Sequence, residues 1–192
     1  MRKFQCSKVF GTVHISDVKS LADKLTKLKA DGLDHLQIVT DFDQTLTRHH
    51  FDEHKVGDST FKTVINWSGT PEVVRRQCSE YFHHYRPIER DSSLSLSEKT
   101  LKLKEWWEKD FSAFVKAGYS KTCFQHMVAE SRILFRSGVN NLLQFHKMTG
   151  VPLIVLSAGV SEIIHASFDF LGRETGLEEK DFSTVQIISN GF

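Results

Sequence analysis

The sequence predicts an α/β fold: a parallel sheet of about three strands with an inserted helical cap. Three observations predict it. Short apolar, β-branched runs occur at 36–40, 153–156 and 185–188, and such runs read as strands buried on both faces. Helical patterns separate them, and strand–helix–strand order calls for parallel neighbours. Between the first two strands lies an all-helical stretch, roughly 57–137, too long for a simple crossover. It reads as a cap on a core made of 1–56 and 138–192.

The elements follow in order. Residues 16–31 form an amphipathic pattern, with Ser16 and Asp17 as capping candidates and Gly32 after the end. The first strand, 36–40, runs into Asp41. Residues 44–69 lack a clear period and read mostly as loop. Pro71 suits the first position of a helix carrying Val74, Cys78, Tyr81, Phe82 and Tyr85, and Pro87 is expected to end it. A second cap helix spans about 98–116, closed by Gly118. A third spans about 120–136 up to Gly138, and a further helix 139–148 stops at Gly150. The second strand, 153–156, ends in Ser157-Ala158-Gly159, which taken alone is also an ordinary tight turn with a cap. A helix at about 161–172 and the third strand complete the pattern.

Composition excludes several classes. The 192 residues are 40% hydrophobic and 26% charged with three prolines, which excludes disordered and collagen-like chains. Lys plus Arg is 25 and Asp plus Glu 24, a net charge of +1, so the general basic field of a nucleic-acid binder is absent. The apolar run 151–158 is far too short to span a bilayer. The residues after Met1-Arg2-Lys3 contain no apolar run of signal-peptide type. Cys6, Cys78 and Cys123 are odd in number and widely spaced, which fits neither a disulfide framework nor a metal or redox CxxC. A monomer in a reducing cytoplasm is expected, with no membrane and no nucleic-acid polymer as partner.

The chemistry-bearing feature is Asp41-Phe42-Asp43-Gln44-Thr45-Leu46-Thr47. Two carboxylates two residues apart on an extended segment share a side. They lie beyond the carboxyl end of a parallel strand, where open α/β sheets bind ligands. Acids crowded at the edge of an apolar core are costly unless a cation or a function compensates. Ser157-Ala158-Gly159 holds the matching place on the second strand and leads into a helix, which suits an anion. His49, His50 and His54 cluster nearby, but their spacing matches no standard metal set.

The first motif resembles the signature of the haloacid-dehalogenase-like phosphohydrolases. With Glu105-Trp106, Val128-Ala129-Glu130-Ser131, Leu156-Ser157-Ala158-Gly159-Val160 and Ile188-Ser189-Asn190, the chain looks like the type III cytosolic (pyrimidine) 5′-nucleotidases over about 36–192. The resemblance implies a Rossmann-like core and a Mg²⁺-dependent hydrolase that removes the 5′-phosphate of nucleoside monophosphates, of pyrimidine or 7-methylguanosine type. It implies Asp41 as the nucleophile that forms an aspartyl-phosphate, and Asp43 as general acid and base. Both acids would serve Mg²⁺, while Thr45, Ser157 and Ala158 would bind phosphate. It assigns the base to Glu89, Trp106 and Asp110; Asp110 stands where the family has a small hydroxyl. A second acid there suggests preference for a cationic base over uracil.

The family's lysine after the third strand and its Gly-Asp-x-x-x-Asp segment have no counterpart here. Lys180 precedes the third strand, and Asp169 and Asp181 lie in no such motif. The resemblance therefore implies a C-terminally truncated chain with an incomplete Mg²⁺ shell. Two alternatives stand beside the enzyme: an inactive nucleotide- or partner-binding remnant, and a phosphatase for another small phosphomonoester.

Overall fold

The computed structural model describes residues 14–175 and 184–191. Cys6, Lys180 and Asp181 lie outside the described residues. The chain divides into two compact units, Met1–Leu36 and Gln37–Phe192. In the first, helix α1 spans Val18–Asp31. The Asp17 side chain accepts the Ser20 amide at 2.9 Å, and Gly32, at φ 77°, receives the chain after the helix. A 3₁₀ turn, Leu33–His35, follows.

The second unit is built on three parallel strands, β1 (Ile38–Thr40), β2 (Leu153–Val160) and β3 (Gln186–Asn190), in the order β1-β2-β3. Ile38 pairs with Leu153, Thr40 with Val155, and Val155 with Ile187. The helices are α2 (Thr60–Asn66), α3 (Glu72–Arg90), α4 (Leu96–Ala117), α5 (Lys121–Glu130), α6 (Val139–Thr149) and α7 (Ser161–Thr175). Two hydrophobic clusters hold them. One joins Leu153 and Val155 of β2 to Phe42, Leu143, Ile164 and Phe168. The other joins Val64, Val74, Phe114 and Met127 to Val160 and Ile163. Helix α7 thus contributes to both.

Four local expectations need correction. The stretch 44–69 contains α2, started by Ser59, whose hydroxyl accepts the Lys62 amide. Its seven residues are too few for a period to show. Pro87 does not end α3, which continues to Arg90. A proline inside a helix removes one backbone bond and crowds a carbonyl. Here buried Tyr85 and the Arg86–Glu89 ion pair hold the turns on either side. Helix α5 stops at Glu130, because the Asp58 carboxylate takes the Arg132 amide at 3.0 Å and the chain straightens until Phe135 bridges Thr47. Finally, β2 runs through Ser157-Ala158-Gly159 to Val160 instead of turning there, with its register to β3 shifted between Leu156 and Val160.

Ser95 and Glu98 form a reciprocal capping box at the start of α4. Glu130 accepts from Trp67 Nε1 at 3.2 Å and Ser68 Oγ at 2.9 Å, tying the end of α5 to the α2–α3 connection.

Candidate active site

The strand β1 delivers Asp41 to its carboxyl end, where the chain leaves the sheet. Asp41 is exposed, and Thr45 Oγ1 donates to its Oδ2 at 3.2 Å. A tight turn over Phe42–Leu46 follows, with Gln44 in the left-handed region at φ 62°. That conformation costs a side-chain-bearing residue energy and persists only when its surroundings impose it. Here Thr47 Oγ1 accepts the Gln44 amide at 2.8 Å. Arg136 donates from Nη2 to the Gln44 carbonyl and from Nε to the Thr45 carbonyl, both at 2.9 Å. Phe42 and Leu46 plug the turn into the sheet cluster.

Asp43 faces a different environment. Its Oδ1 accepts the Thr60 amide at 2.9 Å and its Oδ2 the Thr60 hydroxyl at 2.8 Å. The same hydroxyl accepts the Val160 amide at 3.1 Å. Asp43, α2 and β2 are therefore joined at one oxygen. Burial pushes the Asp43 carboxyl above the ordinary carboxylate range. Both Thr60 bonds pull it back down, and the neighbouring Asp41 charge adds to the rise. A carboxyl poised upward is suited to carry and release a proton.

Ser157 is buried at the far end of β2, and its Oγ accepts the Gly159 amide at 3.0 Å. A Cβ on Gly159 would overlap Thr60 Oγ1 and stand 3.1 Å from both Asp43 Oδ2 and Ser157 Oγ. Only glycine allows this approach, with Thr60, Asp43 and Ser157 all closing on its backbone. Asn190, the last residue of β3, donates to the Ala158 carbonyl at 2.8 Å. The structure thus gathers Asp41, Asp43, Thr45, Ser157 and Ala158 at one end of the sheet.

Glu89, Trp106 and Asp110 come together as well. They line one cavity of about 590 Å³ between α2, α3 and α4, and Ala158 reaches it from β2. Trp106 stacks on Tyr85, with ring centroids 5.8 Å apart and 12° between planes. Trp107 also lines the cavity, while Phe111 packs into the helical cluster. Glu89 is half-buried and ion-paired with Arg86. Asp110 is buried, which pushes its carboxyl up to about 7 against the pull of the Cys78 thiol and the Trp106 ring.

Oxygen donors of the kind Mg²⁺ takes are present in part. Asp41 offers an exposed carboxylate, and both carboxylate oxygens of Asp43 are engaged, which leaves its main-chain carbonyl. No group of three His, Cys, Asp or Glu arranged for a metal occurs among the described residues. The His49 and His50 rings pack edge to face at 4.5 Å. Thr60 and Arg136 escaped the reading of the sequence, and Asn190 entered it only within the Ile188-Ser189-Asn190 segment, without a role. A Ser-Thr pair before an apolar stretch was the available signal for Thr60; Arg136 gave none.

The family described as pyrimidine 5′-nucleotidase (UMPH-1) matches residues 44–192. The 7-methylguanosine phosphate-specific 5′-nucleotidase of Mus musculus is 31% identical over 137 residues, 71% of this chain and 45% of the relative. Its namesake in Rattus norvegicus is 30% identical over 154 residues, 80% of this chain and 51% of the relative. The crystal structure of cytosolic 5′-nucleotidase IIIB bound to cytidine superposes with a TM-score of 0.73 at 21% identity, over 93% of this chain and 56% of that one. The chain spans about half the length of the relatives it matches.

Proposed function

The chain belongs to the pyrimidine 5′-nucleotidase family, and from that premise we propose that it hydrolyses the 5′-phosphate of a nucleoside monophosphate, of pyrimidine or 7-methylguanosine type, in the cytoplasm. One observation carries this reading. An exposed carboxylate, Asp41, stands two residues from a half-buried carboxyl, Asp43, that is held by Thr60 and poised to bind a proton.

In this reading Asp41 Oδ attacks phosphorus, and the bond from phosphorus to the ribose 5′-oxygen breaks. Asp43 gives its proton to that oxygen, so the nucleoside leaves neutral and Asp41 carries the phosphoryl group. Asp43, now a carboxylate, takes a proton from a water that attacks the same phosphorus. Phosphate departs and both carboxyl groups return to their starting states. Thr45, the Ser157 hydroxyl and the Ala158 backbone hold the phosphate. The Asp41 carboxylate and the Asp43 carbonyl would hold Mg²⁺, which screens repulsion between the anionic nucleophile and the anionic substrate. The base would enter the cavity lined by Glu89, Trp106 and Asp110, with the helical segment 57–137 as a cap on the sheet.

The test is Mg²⁺-dependent phosphate release from CMP, UMP and 7-methylguanosine monophosphate, with Asp41→Asn as control. Release that requires Asp41 and is abolished by a chelator supports the reading. Tight nucleotide binding without release would favour the second reading, a nucleotide-binding remnant.

A further inference from the structure

A second cavity, of about 250 Å³, shares no lining residue with the cavity beside Ala158. It lies where the connection from α5 to α6 passes the chain leaving the Asp41 turn, with the Arg48 amide on the Leu134 carbonyl and the Arg136 amide on the Leu46 carbonyl, both at 2.8 Å. Arg48 and Arg136 both line it, and both are exposed. Arg136 spends Nε and Nη2 on the Thr45 and Gln44 carbonyls. The Arg48 guanidinium has no hydrogen bond or ion pair among the described residues. Water satisfies an exposed guanidinium, so Arg48 alone defines nothing. Asn140 supplies a second observation: its Oδ1 lines the same cavity region, is buried and has no hydrogen-bond partner. A buried acceptor left unmet costs stability, and a ligand that donates to it removes the cost. The wall supplies a third. Val128, Val139 and Leu171 are buried there, and Phe135 and Phe170 partly so.

These features set three requirements on an occupant. The free guanidinium fork calls for a carboxylate, which it meets with two parallel N–H bonds. Asn140 Oδ1 calls for a donor. That donor must be neutral, because an ammonium would share a small space with two guanidiniums. The apolar wall calls for a hydrocarbon group, since pockets of this kind gain most from burying apolar surface and use a few polar groups to fix orientation. A bare phosphate or sulfate ion meets the first requirement and leaves the wall unfilled. We infer that this cavity is a second ligand site, and that it takes a small carboxylic acid bearing an apolar chain and a hydroxyl group. The carboxylate pairs with Arg48 and the hydroxyl donates to Asn140 Oδ1. Arg136 reaches from this cavity to the carbonyls of Gln44 and Thr45, so an occupant sits one side chain away from the turn that carries Asp41 and Asp43. The inference does not depend on what that turn catalyses.

Titration calorimetry on the whole chain tests this without turnover. The probes are 2-hydroxy-4-methylpentanoate, 4-methylpentanoate, leucine and orthophosphate. The first three share a carboxylate and a branched chain and differ only in carrying a hydroxyl, nothing or an ammonium. The hydroxy acid is expected to bind about fivefold more tightly than 4-methylpentanoate, the worth of one neutral hydrogen bond. Leucine and orthophosphate should both bind more weakly than the hydroxy acid. Arg48→Ala should weaken the hydroxy acid about tenfold or more. Asn140→Ala should bring the hydroxy acid and 4-methylpentanoate to near parity. The ranking of probes on the unmodified chain does not depend on any variant folding. Absence of saturable binding of the hydroxy acid overturns the inference. So does a hydroxyl that makes no difference in the unmodified chain, or orthophosphate or leucine binding as tightly as the hydroxy acid. Unchanged affinity in Arg48→Ala overturns it as well, by placing the probe elsewhere.

Discussion

Both carboxylate oxygens of Asp43 are bonded to one residue, Thr60: Oδ1 to its amide at 2.9 Å and Oδ2 to its hydroxyl at 2.8 Å. This two-point grip fixes the rotamer of the proposed acid–base group and lowers its proton affinity against the larger, opposite effect of burial. Thr60→Val keeps the shape and the amide bond but deletes the hydroxyl. That hydroxyl bond lowers the Asp43 pKa, so its loss raises the value further. The alkaline limb of the kcat profile, where Asp43 must still carry a proton, should move to higher pH. The turnover number should fall about tenfold or more as the orientation loosens. A pH–rate profile that does not move would contradict this.

Gly159→Ala should be damaging far beyond the size of a methyl group. The new Cβ would overlap Thr60 Oγ1 and press on Asp43 and Ser157. Overpacking of this kind costs roughly 1–3 kcal/mol. Denaturant midpoints should fall accordingly, and phosphate release should be lost in protein that remains folded. Unchanged stability and activity would show that the contact relaxes freely.

Arg136→Lys keeps the charge and loses the fork. Arg136 grips two successive carbonyls of the turn, on Gln44 and Thr45, and an ammonium cannot reproduce that geometry. The turn that positions Asp41 and Asp43 should loosen. We expect kcat to drop about tenfold with KM nearly unchanged, measured by steady-state phosphate release.

Asp110 gives a stability prediction with a definite sign. Burial raises its folded-state pKa to about 7, above the ordinary value near 4. The folded chain therefore holds the proton more tightly than the unfolded chain. Stability from this group is fully present below about pH 4 and is lost as pH rises towards 7, by on the order of 3 kcal/mol. Cys78 on α3 and Trp106 on α4 pull against the rise, and Lys62, Arg75, Arg86 and Glu89 line the same cavity. In Asp110→Asn that part of the pH dependence should vanish, so the variant should gain relative to the parent between pH 5 and 8. Urea unfolding of both proteins at the two pH values is the measurement.

Much of the sheet and of the end that carries Asp41, Asp43 and Ser157 was legible, because their signals are local. Asp41 and Asp43 sit in one heptapeptide at the end of an apolar run, and Ser157 at the end of another. Glu89, Trp106 and Asp110 were found by resemblance. Their meeting in one cavity depends on how α3 packs on α4, which spacing along either helix does not encode. The contacts of Thr60, Arg136 and Asn190 were missed for a related reason. Their partners lie 17, 92 and 32 residues away, and a hydrogen bond across such separations leaves no period. Pro87 misled because its local cost is real and is overridden by tertiary packing of the same helix.

Adjacent residues of α7, Ile163 and Ile164, are both fully buried, one in the helical cluster and one in the sheet cluster. A helix shared in this way denies the two clusters separate fates. Loss of either leaves α7 with half its apolar surface in water, so neither half gains by surviving alone. The sheet and the helices over it should therefore melt as a single cooperative unit, and amides in β2 and α5 should become exchangeable together.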